Sequence, residues 1–157
     1  MTKLKLFLIT LIAVFSLSVQ AEIITGKVIK VADGDTLTLL TDSNKKIRIR
    51  LAGIDAPERK QPFGNSAKEI LAKLVFQKKI LIETQTKDRY RRTVGIVFLD
   101  NQNVNNELVR QGMAWVYKKY TDNETLYKLE DKAKTRRIGL WADETPIAPW
   151  DWRRGNR

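Results

Sequence analysis

The sequence contains neither cysteine nor histidine. The first absence excludes disulfide bonds, thiolate metal ligands and cysteine nucleophiles, and the second excludes imidazole as a ligand, acid or base. Any metal ion must therefore be a hard cation held by oxygen atoms. Proton transfer is left to the side chains of aspartate, glutamate, lysine and tyrosine.

Glycine and proline are also scarce, with 8 and 4 among 157 residues, which excludes collagen-like and low-complexity chains. Acidic charge is in deficit, because 18 Asp and Glu stand against 29 Lys and Arg and leave a formal net charge of +11. The hydrophobic content of 43% is enough for the core of one domain. The excess positive charge attracts polyanions over long distances.

The long apolar run of this chain lies at its start. Lys3 and Lys5 precede a mostly apolar segment over residues 6–19, and Ala21 supplies the small side chain that signal peptidase reads. The segment is shorter than the roughly 20 residues of a membrane span. We therefore predict a signal peptide over residues 1–21, in preference to an uncleaved membrane anchor, and an exported protein that is periplasmic or secreted.

The rest of the chain shows no internal repeat and no linker-like segment. Residues 22–157 are predicted to form one domain without membrane contact, in which residues 146–157 are a basic aromatic tail. A domain of this size is expected to be a monomer.

The spacing of apolar residues predicts the secondary structure. Alternation predicts five strands, at 23–31, 36–40, 47–51, 80–86 and 93–99. Helical spacing predicts three helices, at about 67–75, 104–110 and 124–138. Ser66 and Glu69 fit a capping box at the start of the first helix, and Gly139 is expected to end the last. This order predicts an α+β fold with a small Greek-key barrel rather than a parallel α/β sheet.

Carboxylates are concentrated in two short segments. Asp33 and Asp35 lie in the first predicted turn, and Asp55 and Glu58 follow the third predicted strand. Adjacent strands lie about 4.8 Å apart, so these acids are expected to meet at one end of the barrel. Crowded carboxylates repel one another unless a cation lies between them, and Ca²⁺ or another hard divalent ion suits such ligands. The alternative is that Asp33 and Asp35 only shape a turn, which Asp and Gly favour anyway.

Basic residues are concentrated between the last two predicted strands, in the segment from Lys87 to Arg92. Arginine can grip two oxygens of one phosphate in a bidentate fork, so this segment suits a phosphate ligand. The alternative is a solvated loop that keeps a basic protein soluble.

In order and spacing, these motifs resemble those of the thermonuclease family, to which micrococcal (staphylococcal) nuclease belongs. The resemblance covers about residues 23–152 and rests on five segments: Asp33-Gly34-Asp35-Thr36, residues 50–58, residues 88–92, residues 104–112 and Gly139-Leu140-Trp141. The family implies a five-stranded OB-fold barrel with three α-helices. It also implies Ca²⁺-dependent hydrolysis of phosphodiester bonds in DNA and RNA with little sequence preference.

The resemblance also implies roles for the acidic segments. Asp35 and Asp55 would be the carboxylate ligands of the metal, and the main-chain carbonyl of Ala56 would be the third protein ligand. Glu58 would be the general base that activates water, and Asp33 would be a supporting acid beside the metal.

Two arginines, Arg50 and Arg92, would hold the phosphate in such a site. Guanidinium groups match the extra negative charge of a five-coordinate phosphorane and so favour the transition state. Because arginine stays protonated, it serves as an electrostatic clamp rather than as a proton donor.

The remaining implied contacts are with the substrate. Arg89 and Tyr90 match the family's substrate loop, and Tyr117 and Tyr120 are both candidates for packing against the terminal base, with simple packing as the alternative. Stacking on tyrosine tolerates any base. Two residues depart from the family pattern, because Arg91 stands where the best-known member has Gly and Arg89 stands where Lys is common.

Two other classes of function fit part of the sequence. A catalytically silent OB-fold module that only binds nucleic acid would be expected to lack some of the implied site residues, and all are present. A basic protein that binds an anionic membrane or polysaccharide would need the positive charge but not the paired acids.

Overall fold

A computed structural model describes residues 22–156 of the chain. The predicted signal peptide, residues 1–21, lies outside this range. The described residues form the following elements in chain order: β1 (Ile23–Asp33), β2 (Thr36–Thr41), β3 (Lys46–Leu51), β4 (Ile54–Asp55), α1 (Gly64–Val75), β5 (Lys79–Lys87), β6 (Thr93–Leu99), β7 (Gln102–Asn103), α2 (Val104–Arg110), β8 (Trp115–Val116), α3 (Glu124–Thr135), a 3-10 helix (Gly139–Ala142) and α4 (Pro149–Arg153).

Five strands close into a barrel. Antiparallel pairs run in the order β3-β2-β1-β5-β6, and a parallel pairing of β3 with β6 closes the sheet. The strand β7 extends the sheet beside β6, while β4 and β8 form a separate antiparallel pair. The predicted α+β fold with a five-stranded barrel is therefore confirmed.

The barrel interior is filled by aliphatic side chains that alternate along the strands. The following strand residues are fully buried: Val28, Leu37, Leu39, Ile49, Ile82 and Val97. Each such side chain contributes about 1.5–3 kcal/mol relative to exposure. The helix α1 packs on β1, and α2 packs on β6 and on α3, so the helices cover the barrel with their apolar faces.

The predicted elements match the observed ones closely, and the larger differences in their bounds occur at helix ends. The five predicted strands differ from the observed bounds by at most two residues, and the helix α2 has the predicted bounds. The last long helix ends at Thr135 rather than at 138, because the backbone turns left-handed at Arg137 (φ 52) and Gly139 opens a 3-10 helix.

The predicted capping box on the first helix is wrong. The helix α1 begins at Gly64, and its N-cap is Phe63, which has a φ of 66° and makes no side-chain capping bond. The start is set by the loop before it, because a Cβ at Gly64 would lie 2.0 Å from the carbonyl oxygen of Glu58. This close approach fixes the segment that carries Glu58 against the end of α1.

The predicted count of three α-helices also needs correction, because the described residues include a fourth, α4, in the basic aromatic tail. Pro149 occupies the first turn, where a missing N–H costs nothing. Ala148 and Pro149 are buried, and the Trp150 ring stacks on the Tyr117 ring at a centroid distance of 5.1 Å. Apolar contacts therefore dock the tail on the domain.

Between residues 22 and 156, none of the helices combines the length and apolar character that a bilayer crossing requires.

Candidate active site

Two buried carboxylates lie side by side at one end of the barrel. The side chains belong to Asp35, in the turn between β1 and β2, and to Asp55, at the end of β4; the two residues are 6% and 2% exposed. The Nη2 atom of Arg50 lies 3.2 Å from Asp35 Oδ2 and 2.9 Å from Asp55 Oδ1. Because both oxygens contact one nitrogen, they lie within two hydrogen-bond lengths of each other.

Tight packing brings the first turn to this position. A Cβ at Gly34 would lie 2.6 Å from the Cβ of Ala67 and 2.7 Å from that of Ala56, so only glycine fits between α1 and the segment after β4. The N–H of Ala56 donates to Asp35 Oδ2 at 2.7 Å, which joins the two predicted metal-binding segments directly. The hydroxyl of Thr36 donates to the other oxygen, Oδ1, at 3.1 Å.

The donor set fits a hard cation. Asp35 and Asp55 offer carboxylate oxygens, and Ala56 brings its main chain to the same place. Among residues 22–156, no three acidic side chains converge on one metal position. A cation here would thus have the two carboxylates of Asp35 and Asp55 available, with water completing its shell.

Burial perturbs two of the acids. Burial and then the charge of Asp35 raise the pKa of Asp33 to about 6. The N–H of Asp35 donates to Asp33 Oδ1 at 3.1 Å, so Asp33 shapes the turn that carries the predicted ligand. Burial also raises the pKa of Asp55, and this effect exceeds the lowering effects of Arg153 and Arg50. A cation would relieve the cost of ionising these acids.

Arg50 is the hub of the cluster. Its side chain is 13% exposed, and its Nη1 atom donates to the carbonyl oxygens of Leu51 and Ile54 at 2.7 and 2.8 Å. Its Nη2 atom contacts both carboxylates, as described above. The guanidinium is therefore fixed in place by the strand end from which it projects.

Glu58 lies at the solvent side of the same cluster, with a side chain that is 40% exposed. Its Oε1 atom accepts a hydrogen bond of 2.7 Å from Arg153 Nη1, which also lies 3.3 Å from Asp55 Oδ1. Arg50 thus joins Asp35 to Asp55, and Arg153 joins Asp55 to Glu58.

Arg153 was missed by the sequence reasoning. It comes from α4 and lies 98 residues along the chain from Asp55. The available signal was the tryptophan-flanked arginine pair in the tail, Arg153 and Arg154, but nothing in that pattern indicates which part of the domain the tail meets.

Arg92 joins the cluster through the loop between β5 and β6. Its Nη1 atom donates to the Thr36 hydroxyl at 3.2 Å, next to Asp35, and its Nε atom donates to Asp88 Oδ2 at 2.7 Å. Although burial raises the pKa of Asp88, the hydrogen bonds from Arg92 outweigh it and leave that pKa lowered. Asp88 is therefore a stable anion that orients Arg92. The sequence reasoning had given Asp88 no role.

The same loop presents Tyr90 to solvent. The Tyr90 side chain is exposed, Arg89 Nη2 donates to its hydroxyl at 2.8 Å, and the Arg89 guanidinium lies 4.8 Å from the ring centroid. Arg91 has a φ of 63°, in the left-handed region that favours glycine. A glycine at this position would adopt the same conformation without strain.

The last two candidates, Tyr117 and Tyr120, form an aromatic surface with Trp150. Their rings meet edge to face at 4.7 Å, and Tyr120 is 65% exposed. Trp150 covers one face of Tyr117 in a stacked arrangement with an interplanar angle of 10°. Tyr117 is linked to the region of β4 by its N–H, which donates to the Gly53 carbonyl.

Comparison with known proteins places the chain in a family of nucleases. A family model described as staphylococcal nuclease homologue matches residues 48–143. An uncharacterized endonuclease of Haemophilus influenzae is 45% identical over 152 residues, which cover 96% of this chain and 85% of that protein. An uncharacterized endonuclease of Escherichia coli O157:H7 is 42% identical over 141 residues, covering 89% and 92% of the two chains. A micrococcal nuclease of Shigella flexneri is 40% identical over 144 residues, covering 84% and 82%.

Proposed function

Because this chain belongs to the staphylococcal nuclease family of phosphodiester hydrolases, we propose that it is a Ca²⁺-dependent endonuclease that cleaves both DNA and RNA. The proposal is carried by one observation, the convergence of Asp35 and Asp55 on Arg50 Nη2 with Glu58 beside them. A module that only binds nucleic acid would have no use for two buried acids held against one arginine.

Asp35, Asp55 and the main-chain oxygen of Ala56 are the proposed metal ligands. They are hard oxygen donors, and the two carboxylates are buried, where uncompensated negative charge is unfavourable. Bound Ca²⁺ would polarise a phosphoryl oxygen and orient water. Asp33 supports the turn on which Asp35 lies.

The proposed general base is Glu58. It is the half-exposed carboxylate of the cluster, so water reaches it while its neighbours stay buried. A positioned base of this kind contributes about 10²–10⁴-fold to the rate.

Arg50 and Arg92 are proposed to stabilise the negative charge that builds up on the phosphorane. Both approach Asp35, Arg50 directly and Arg92 through Thr36, so both guanidiniums lie near a residue that would hold the metal. Donors that are fixed and permanently charged lower the free energy of the transition state, because they need no reorganisation during the reaction.

The exposed groups around the cluster are proposed to bind the rest of the substrate. Arg89 and Tyr90 offer a charge and an aromatic face on one loop, and Tyr117 and Tyr120 offer a second aromatic surface. Base stacking on such rings tolerates any sequence, and the net charge of +11 adds salt-sensitive attraction for nucleic acid.

The test is the substitution Glu58→Gln, assayed on plasmid DNA and on RNA with added Ca²⁺ and with chelator. We expect the variant to lose about 10²–10⁴-fold in cleavage rate while DNA binding survives, because the base is removed and the positive charge is not. Glu69→Gln, an exposed residue of α1, is the matched control and should cleave normally.

Two results would contradict the proposal. Undiminished cleavage by Glu58→Gln would show that Glu58 is not the general base. Undiminished cleavage in chelator would show that the reaction does not need a metal ion. A wild-type protein that binds DNA but never cleaves it would instead be the catalytically silent binding module.

Export also stays a proposal, supported by the basic and apolar pattern of residues 1–21. The measurement is the N-terminal residue of the protein recovered from the periplasm or medium, which we expect to be Glu22.

A further inference from the structure

The last helix of the described chain places a third guanidinium in the candidate active site. Arg153 Nη2 lies 2.8 Å from Asp55 Oδ2, and Arg153 Nη1 lies 2.7 Å from Glu58 Oε1 and 3.3 Å from Asp55 Oδ1. The guanidinium therefore spans a proposed metal ligand and the proposed general base. These contacts raise the pKa of Arg153 despite its partial burial, which acts in the opposite direction.

The segment that carries Arg153 is anchored independently of this contact. Trp150 stacks on Tyr117 and meets Trp115 edge to face at 5.7 Å, and Pro149 is buried. Apolar packing thus fixes the first turn of α4, and the Arg153 side chain extends from this fixed helix to the carboxylate cluster.

A second link ties the tail to the segment that carries Glu58. The side chain of Gln61 accepts a hydrogen bond from the Glu58 N–H at 3.0 Å and donates one to the Ile147 carbonyl at 2.6 Å. Gln61 is 7% exposed, so both bonds are shielded from water. The tail is therefore linked to Glu58 in two ways. Gln61 bridges the Glu58 main chain to Ile147, and Arg153 bonds the Glu58 side chain directly.

We propose that Arg153 is a positioning residue for the nuclease reaction, which holds the Glu58 carboxylate beside Asp55, a residue that would hold the metal. This inference rests on the proposed function. The Glu58 side chain is 40% exposed, and a half-exposed glutamate without a partner samples several rotamers. One hydrogen bond from the Arg153 guanidinium reaches Glu58 Oε1, and the same guanidinium is itself held by both oxygens of Asp55, so Glu58 is restricted to the rotamer that faces Asp55.

The same charge opposes metal binding. Arg153 is paired with both oxygens of Asp55, and a cation bound by Asp55 must share that carboxylate with the guanidinium or displace it. Removing the positive charge should therefore strengthen Ca²⁺ binding while it weakens the hold on Glu58. These opposite effects distinguish positioning from a purely structural role.

The experiment compares Arg153→Gln with wild type and with Arg154→Gln. Arg154 neighbours Arg153 on the same helix end, is exposed and pairs with Asp151, so its substitution makes the same change in net charge away from the site. Calcium affinity is measured by calorimetry on the metal-free protein without nucleic acid. Values of kcat and KM are then measured on one oligonucleotide at saturating Ca²⁺.

For Arg153→Gln we expect about tenfold tighter Ca²⁺ binding, from the loss of one charge near a divalent ion, and about tenfold lower kcat with little change in KM. Arg154→Gln should match wild type in both measurements. Arg153→Lys should return the calcium affinity towards wild type, because it keeps the charge, but should recover kcat only in part, because an ammonium lacks the planar fork.

Unchanged affinity and kcat in Arg153→Gln, with only a lower melting temperature, would overturn the inference and leave Arg153 as an anchor of α4. Tighter calcium binding with an unchanged or higher kcat would also overturn it, since Glu58 would then need no positioning. Wild-type activity is measured first, because an inactive wild type refutes the proposed function itself and this inference with it.

Discussion

Replacing Arg50 by Met is the most demanding test of how the carboxylate cluster is held. The substitution keeps an unbranched apolar stem of similar reach but removes the guanidinium that contacts Asp35, Asp55 and the carbonyl oxygens of Leu51 and Ile54. Two buried carboxylates are then left close together without this shared partner.

The expected loss follows from those contacts. Breaking a buried ion pair by removing one partner costs about 3–5 kcal/mol, because the other charge stays buried. Asp55 keeps its pairing with Arg153, so we expect a value at the low end, about 3 kcal/mol. For a domain of this size that loss lowers the melting temperature by about 10 °C.

The assay is urea unfolding in chelator, followed by tryptophan fluorescence. All four tryptophans lie between Trp115 and Trp152, and three of them contact one another or Tyr117, so their emission reports the packing around the site. Arg48→Met is the matched control, since Arg48 lies on β3 but is exposed, and its substitution should change stability by less than about 0.5 kcal/mol.

Two further measurements sharpen the test. Asp35→Asn in the Arg50→Met background should restore part of the stability, because it removes one of the unpaired charges. Added Ca²⁺ should stabilise Arg50→Met more than wild type, because the cation replaces the lost positive charge. Equal unfolding midpoints for Arg50→Met and Arg48→Met would refute the argument that these acids depend on Arg50.

Two other predictions concern positions outside the cluster. Hydrogen bonds from Arg110 lower the pKa of Glu107 below its usual 4.5, so its contribution to stability is present above that pH and is lost as pH falls through the folded-state pKa. Glu107→Gln should therefore cost about 1 kcal/mol at pH 7 in denaturant unfolding, and a cost that does not shrink in acid would contradict this. Arg91→Gly should raise stability by about 0.5 kcal/mol by relieving the left-handed backbone at φ 63°, while Arg89→Gly in the same loop should not; equal effects would count against backbone strain.

The barrel could be predicted because its signals are local. Alternation in β2 and β3 and the turn between Asp33 and Asp35 are encoded by adjacent residues, and strands with one buried face have a single workable register. The start of α1 was predicted less well. The helix begins at Gly64, where the carbonyl of Glu58 packs so closely that no side chain fits, and no capping pattern contains this contact.

The spacing of the acids and arginines also let the sequence indicate which residues share a site. Asp35 and Asp55 follow strands that the hairpin order brings to one end of the barrel, and Arg50 leaves the same strand end. The sequence gives no sign of the role of Asp88, because a phosphate ligand is enough to explain a basic residue at its partner, Arg92.

By itself the sequence determined the barrel, the oxygen-only chemistry of any metal site and the two acidic segments that meet at one end of the barrel, since these depend on composition and on neighbours along the chain. Tertiary structure alone decided that α4 folds, that Trp150 covers Tyr117 and that Arg153 reaches Asp55 and Glu58. The physical reason is separation: contacts between residues 95 and 98 positions apart depend on how the whole domain closes, and short-range patterns carry no information about that closure.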